Sequence, residues 1–297
     1  MNLSSSTARS VKIGLLAIVT VWLTGPLTVP IVKILRGQFS AEELLLVRSF
    51  FGVAFSFFLA RNKVWKTDWK VKLAGPIIGF SSIGFYRAIQ VWDINPVMVI
   101  IALLPIVNIA ILWIEGKRVS WVVLASFGLL VYGIVLALDP WEQPINTKGM
   151  AWALSCAVAG GIGFELWGRA SKETTISEKC FWLSASLFII TPIIILSTQL
   201  PIDLPKYTGM RELWLLLALG ILNGIVYMYG TIIPFSAVGK ISTGVTSILL
   251  QVTTPFTIIG ACYFTGEVLS PSQWTGVAVA LSSAAMLSLW LTKKSSS

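Results

Sequence analysis

The sequence predicts an all-α membrane protein of ten transmembrane helices in two inverted five-helix repeats. Three observations carry that expectation. First, 56% of the 297 residues are hydrophobic and only 12% are charged. With a mean hydropathy of +0.83, this suits a polytopic membrane protein and not a water-soluble one. Second, the apolar residues gather into ten stretches of roughly 18–24 residues, each long enough to cross about 30 Å of hydrocarbon. Third, two stretches carry a central proline at matching places: Pro105 lies 15 positions before Ser120, and Pro255 lies 15 before Ser270.

In chain order the stretches are 11–33, 43–60, 71–92, 96–115, 119–138, 149–168, 179–200, 212–235, 242–265 and 271–291. The first follows a short polar segment, 1–12, and lacks the small-residue cleavage pattern of a signal peptide. With nine more spans after it, it reads as a retained helix. In the fourth, Pro105 leaves a carbonyl of the preceding turn without its amide and bends the helix. A lipid span tolerates this where neighbouring segments satisfy the freed group. Asn108 follows one turn later, and in the ninth stretch Gln251 precedes Pro255 by four. Two broken, internally polar spans in corresponding places point to a binding site between repeats, with Pro105 and Pro255 as the gating breaks. The longest connection, 139–148, holds Pro140, Pro144 and Asn146. It divides a first repeat, 1–138, from a second, 149–297. Gly160, Gly161 and Gly163 permit close helix approach, and no strand precedes them as a nucleotide loop would need.

Charge sets the orientation. With the N-terminus cytoplasmic, the inner side carries 15 Lys and Arg and the outer side 5, while Arg48 and Arg87 lie within spans. The bias puts both termini inside, in an inner or plasma membrane. An odd number of helices per half makes the second half enter from the opposite side. Tryptophans such as Trp65, Trp69, Trp92, Trp121 and Trp274 sit near stretch ends, as interfacial anchors do; Trp22 is the mid-span exception.

Several function classes are excluded. Histidine is absent, which removes His-ligated haem, His-containing zinc sites and His-based triads. Cys156, Cys180 and Cys262 are far apart and form no CxxC, so no metal or cofactor is expected. The net charge of +9 falls between apolar runs, and no basic domain remains to bind nucleic acid. HExxH and GxSxG motifs are absent, as are paired intramembrane carboxylates, which argues against an enzyme.

The whole arrangement resembles the drug/metabolite transporter superfamily, EamA type. Its marks here are ten helices in two halves, Trp22 in the first span, Arg48 early in the second, and a central proline with a nearby glutamate in spans four and nine (Pro105 with Glu115, Pro255 with Glu267). The resemblance covers the whole chain. It departs where the second glutamate is displaced by two positions relative to its proline. It departs again where Leu-Thr-Gly-Pro follows Trp22 in place of small residues directly. The resemblance implies the fold, a general transport activity and its outward direction; it does not fix the ligand.

The candidate substrate-binding residues are Trp22, Arg48, Tyr86, Arg87, Gln90, Asn108, Asn223, Tyr227 and Gln251. Ser82, Tyr86, Gln90 and Asp93 form a helical polar stripe, which faces protein or water and not lipid. An arginine within a span needs a partner or a wet cavity. Arg48 is expected to be structural, tied to carbonyls or to Glu42 or Glu43. Arg87 is expected to be unpaired and to meet a substrate carboxylate, since its fork fits one bidentately. Glu165 is expected to pair with Arg169, its i+4 neighbour.

The expected function is a secondary transporter, acting as a monomer in the lipid bilayer, that exports a small polar metabolite such as an amino acid or related carboxylate. It would rock its two halves about a midplane site. A nucleotide-sugar or phosphate-ester exchanger is the alternative, weakened because no lysine joins the two intramembrane arginines. A non-transporting scaffold or receptor would be better served by continuous helices without polar stripes.

Overall fold

The computed structural model describes residues 31, 35, 39–92, 94–139, 144–170, 173–197, 209–227, 243–251, 253–256, 258–259 and 268–296. Ten helices are described: α1 Ala41–Ala60, α2 Trp69–Val91, α3 Ile94–Ile101, α4 Leu104–Ile114, α5 Trp121–Leu138, α6 Thr147–Gly168, α7 Ile176–Ser197, α8 Met210–Ile221, α9 Thr243–Gln251 and α10 Pro271–Ser296. No strand occurs among the described residues. Five segments are long and apolar enough to cross a membrane: Ala41–Ala60, Ile94–Ile114, Trp121–Leu138, Thr147–Gly168 and Ile176–Leu196. The expected span 96–115 is therefore present but divided into α3 and α4.

Local chemistry starts several of these helices. Before α1, Ser40 and Glu43 form a capping box: the Ser40 amide donates to Glu43 and the Glu43 amide to Ser40 Oγ. Thr175 and Glu178 repeat it before α7, and Ser270 with Gln273 before α10. Each box satisfies orphan amides at a helix start. Asp68 and Asn146 cap α2 and α6 by accepting from the Lys70 and Gly149 amides. A short 3-10 turn, Arg61–Lys66, joins α1 to α2. The last turns of α8 widen into a π segment, Leu222–Tyr227.

The helices share two apolar cores. In the larger, Leu44 and Leu45 of α1 and Val71, Ile78, Ile83 and Tyr86 of α2 pack with Trp167 of α6, Leu183 and Leu187 of α7 and Leu219 of α8. In the smaller, Leu130, Ile134 and Ala137 of α5 pack with Ile248 and Leu249 of α9 and Val277, Ala280 and Leu287 of α10. Each core draws on residues from both sides of the 139–148 connection. The connection also docks on the first half: the Trp92 indole donates to the Pro144 carbonyl, and the Asn146 amide to the Val91 carbonyl.

Glycines permit the tightest crossings. A Cβ at Gly133 would meet Gly276 and Ala280 backbone, so α5 and α10 touch almost directly. Seven residues earlier on α5, the Ser126 carbonyl accepts from Ser283 Oγ at 2.6 Å. Gly52 of α1 lies against Ser184 of α7 and the Gly224 carbonyl, while Gly224 abuts the Arg48 carbonyl. Small residues at such contacts exchange side-chain volume for close backbone packing.

Candidate functional site

The break between α3 and α4 is where the polar interior begins. Pro105 has no amide to give the Ile101 carbonyl, and α3 ends at Ile101. The chain tightens there, with the Leu103 amide donating to Ile100 and the Ile106 amide to Leu103. One turn on, Asn108 is fully buried, and among the described residues neither its amide nitrogen nor its oxygen has a hydrogen-bond partner. Leaving a buried amide unpaired costs about 1–3 kcal/mol per group, which sets this side chain apart from the packed residues around it. Helix α4 packs against α6 on one side and α9 on another. On the α6 side, Gly160 and Gly161 receive Leu104 and Val107.

The ninth span supplies its polar residues close by. Ser247 and Thr254 are buried, Pro255 is buried within helical residues 253–256, and Gln251 is half-buried. The two proline-bearing stretches thus lie side by side, α4 of the first against α9 of the second.

The two arginines within expected spans differ from expectation. Arg87 is not unpaired: its Nε lies 2.5 Å from Glu42 Oε1, with Glu42 only 2% exposed. The N–H is not aligned for a hydrogen bond, so this is a close ionic contact between the start of α1 and the end of α2. The apolar stretch 43–60 leaves Glu42 outside the span, whereas α1 begins at Ala41 and carries it into the bundle. Glu42 is therefore engaged by Arg87, and Glu43 by the Ser40 cap, so neither is the partner expected for Arg48. Arg48 is 6% exposed, and its Nε has no hydrogen-bond partner among the described residues. It sits one turn before Gly52, where α1, α7 and α8 converge.

At the opposite end of the bundle, ions join α4 to α6. Arg169 donates to Glu165 Oε1 at 2.8 Å, the i+4 pair expected from sequence. It also contacts Glu115, at the end of α4. Lys117 reaches Glu115 at 2.8 Å, and Lys70 donates to the Arg169 carbonyl. Hydrogen bonds from Lys117 and Arg169 hold the Glu115 carboxyl below its ordinary value of 4.5.

The polar stripe of α2 is placed less simply. Tyr86 is 1% exposed and packs in the larger core beside Phe85, while Gln90 is half-buried. The hydroxyl that ties α2 to α6 belongs to Ser81, which donates to the Cys156 carbonyl at 2.8 Å. Ser81 was passed over because the i+4 series began at Ser82. Glu42 was expected to serve Arg48 and is found on Arg87 instead, and Glu115, marked only beside Pro105, is found between Lys117 and Arg169. Trp22, Pro26, Asp93 and Glu267 lie outside the described residues, as do the side chains of Asn223 and Tyr227.

No family model and no curated protein matches the chain. A solved structure described only as "Crystal structure of protein" matches it with a TM-score of 0.74 at 16% sequence identity. The match covers 96% of this chain and 98% of that one, so the two share a fold over nearly their whole length.

Proposed function

We propose that the chain is a secondary transporter of the drug/metabolite type. It exports small polar metabolites, amino acids or related carboxylates, across the cell membrane by alternating access. The observation that carries this reading is the buried, unpartnered amide of Asn108, one turn past a proline break, in a span packed against the second proline-bearing span. Broken helices with polar groups at membrane depth are tolerated where they line a cavity.

An inverted ten-helix repeat is supported by two correspondences. The Ser40–Glu43 and Thr175–Glu178 boxes are 135 positions apart. They begin helices that pack against each other from opposite ends of the bundle. In α5 and α10, adding 150 to Gly133 reaches Ser283, and subtracting 150 from Gly276 reaches Ser126. The Gly133–Gly276 approach and the Ser283–Ser126 hydrogen bond are then one contact seen twice about a local twofold. The longer offset puts the extra residues of the second half between the starts of α7 and α10. Lys70, Lys117 and Arg169 gather at one end of the bundle, which supports that end as cytoplasmic.

In this account the moving bodies are the two cores, not the two sequence halves, because each core is interleaved. The α3–α4 break lies between them and absorbs the change. Arg48 replaces Arg87 as the carboxylate anchor, because the charge of Arg87 is already met by Glu42. Arg48→Gln should raise KM for a transported acid by about tenfold or more, and much less for its amide. Arg48→Lys should recover only part, since a point charge cannot reproduce the fork. Equal losses for acid and amide would remove Arg48 from that role.

A further inference from the structure

We infer that the cleft where α1 ends and α7 begins binds the phosphate of an anionic phospholipid headgroup. The cleft holds about 360 Å³ and is lined by Leu59, Ala60, Arg61, Lys63, Thr175 and Ser177. It sits at the ends of two segments able to cross a membrane, Ala41–Ala60 and Ile176–Leu196, and so lies at headgroup depth in a bilayer.

Its rim carries two cations, Arg61 and Lys63. Neither Arg61 nor Lys63 forms an ion pair among the described residues. Arg61 adopts φ 48°, with its amide bonded to the Phe57 carbonyl. That conformation is uncommon for a residue with a side chain, and it turns the chain sharply off α1 into the 3-10 turn that carries Lys63. Glu178, three residues after Thr175, is 5% exposed and does not line the cleft. Its carboxylate accepts from Thr67 Oγ1 and from the Thr175 amide and hydroxyl.

The wall is apolar where acyl chains would run. Phe57, Phe58 and Leu59 are 47%, 68% and 49% exposed on the last turn of α1. Trp65, at 64% exposed, stands beyond them as an interfacial ring does. A free phosphate ion would use the two cations and leave this wall idle; a phospholipid uses both. Cations near a membrane surface attract anionic lipid at about 1 kcal/mol each, and at a phosphate they add charge-assisted hydrogen bonds.

The inference stands apart from the transport reading, since it requires only that these two segments lie in a bilayer. The test is native mass spectrometry of the purified full chain, titrated with phosphatidylglycerol or phosphatidylcholine, with thermal stability of each variant measured alongside. The wild type should retain phosphatidylglycerol preferentially, and millimolar inorganic phosphate should not displace it. Arg61→Gln with Lys63→Gln should weaken that retention about thirtyfold. Arg61→Lys with Lys63→Arg should keep most of it. Ser177→Phe, which fills the cleft without changing charge, should lose it. Undiminished retention by the glutamine variant or by Ser177→Phe would overturn the assignment. Displacement by inorganic phosphate would make this a free-anion site and overturn it equally.

Discussion

At the scale of single residues, burial and charge decide between roles that composition leaves open. Arg48 and Arg87 have the same side chain in similar apolar surroundings, and only the position of Glu42 separates them. The i+4 pair Glu165–Arg169 was legible because both partners lie on one helix. The Glu42–Arg87 pair was not, because it joins two helices whose relative rotation no local pattern records. With Glu42 at 2% exposure, removing either partner leaves an uncompensated charge. Arg87→Gln and Glu42→Gln should each lower folding stability by about 3 kcal/mol, and the double variant by less than their sum. Thermal unfolding in detergent measures this. Additive losses would mean the two groups are energetically independent.

At the scale of elements, the helices were legible and their contacts were not. Long apolar runs located α1, α2, α5, α6 and α7 to within a few residues of their observed ends, because hydrocarbon thickness imposes a length on any span. Capping residues moved the starts earlier: Ser40 and Thr175 place the first turns of α1 and α7 ahead of the apolar stretch. Proline placed the α3–α4 break, since it removes one defined hydrogen bond. Ser81, which ties α2 to α6, lies one residue before the stripe that begins at Ser82, a rotation of about 100° on a helix with 3.6 residues per turn. Pro105→Ala and Pro255→Ala should leave the protein inserted and monodisperse while slowing turnover several-fold, because a straightened span loses its bend and its free carbonyl. Transport rates unchanged in both variants would make the bends packing features only.

At the scale of the whole molecule, the equal spacing of Pro105–Ser120 and Pro255–Ser270 singled out two proline-bearing stretches, and α4 of the first lies against α9 of the second. The interleaving of the two cores was hidden, because which helix of one half packs on which of the other depends on three-dimensional closure. Orientation can be tested independently of function. In sealed cells a cysteine replacing Gln143 should react with an impermeant reagent from outside, and one replacing Lys66 should not. Labelling of both from the same side would contradict the ten-span topology.

The central claim is transport, and solute counterflow in proteoliposomes tests it most directly. Vesicles containing the wild-type chain and loaded with one unlabelled amino acid or carboxylate at a time should transiently accumulate the same labelled solute above equilibrium for at least one member of the panel. Empty vesicles should not. Asn108→Leu should reduce the accumulation at least about tenfold, since its buried amide is the proposed polar lining of the path. Labelled solute equilibrating at the rate of empty vesicles across the whole panel would contradict the account.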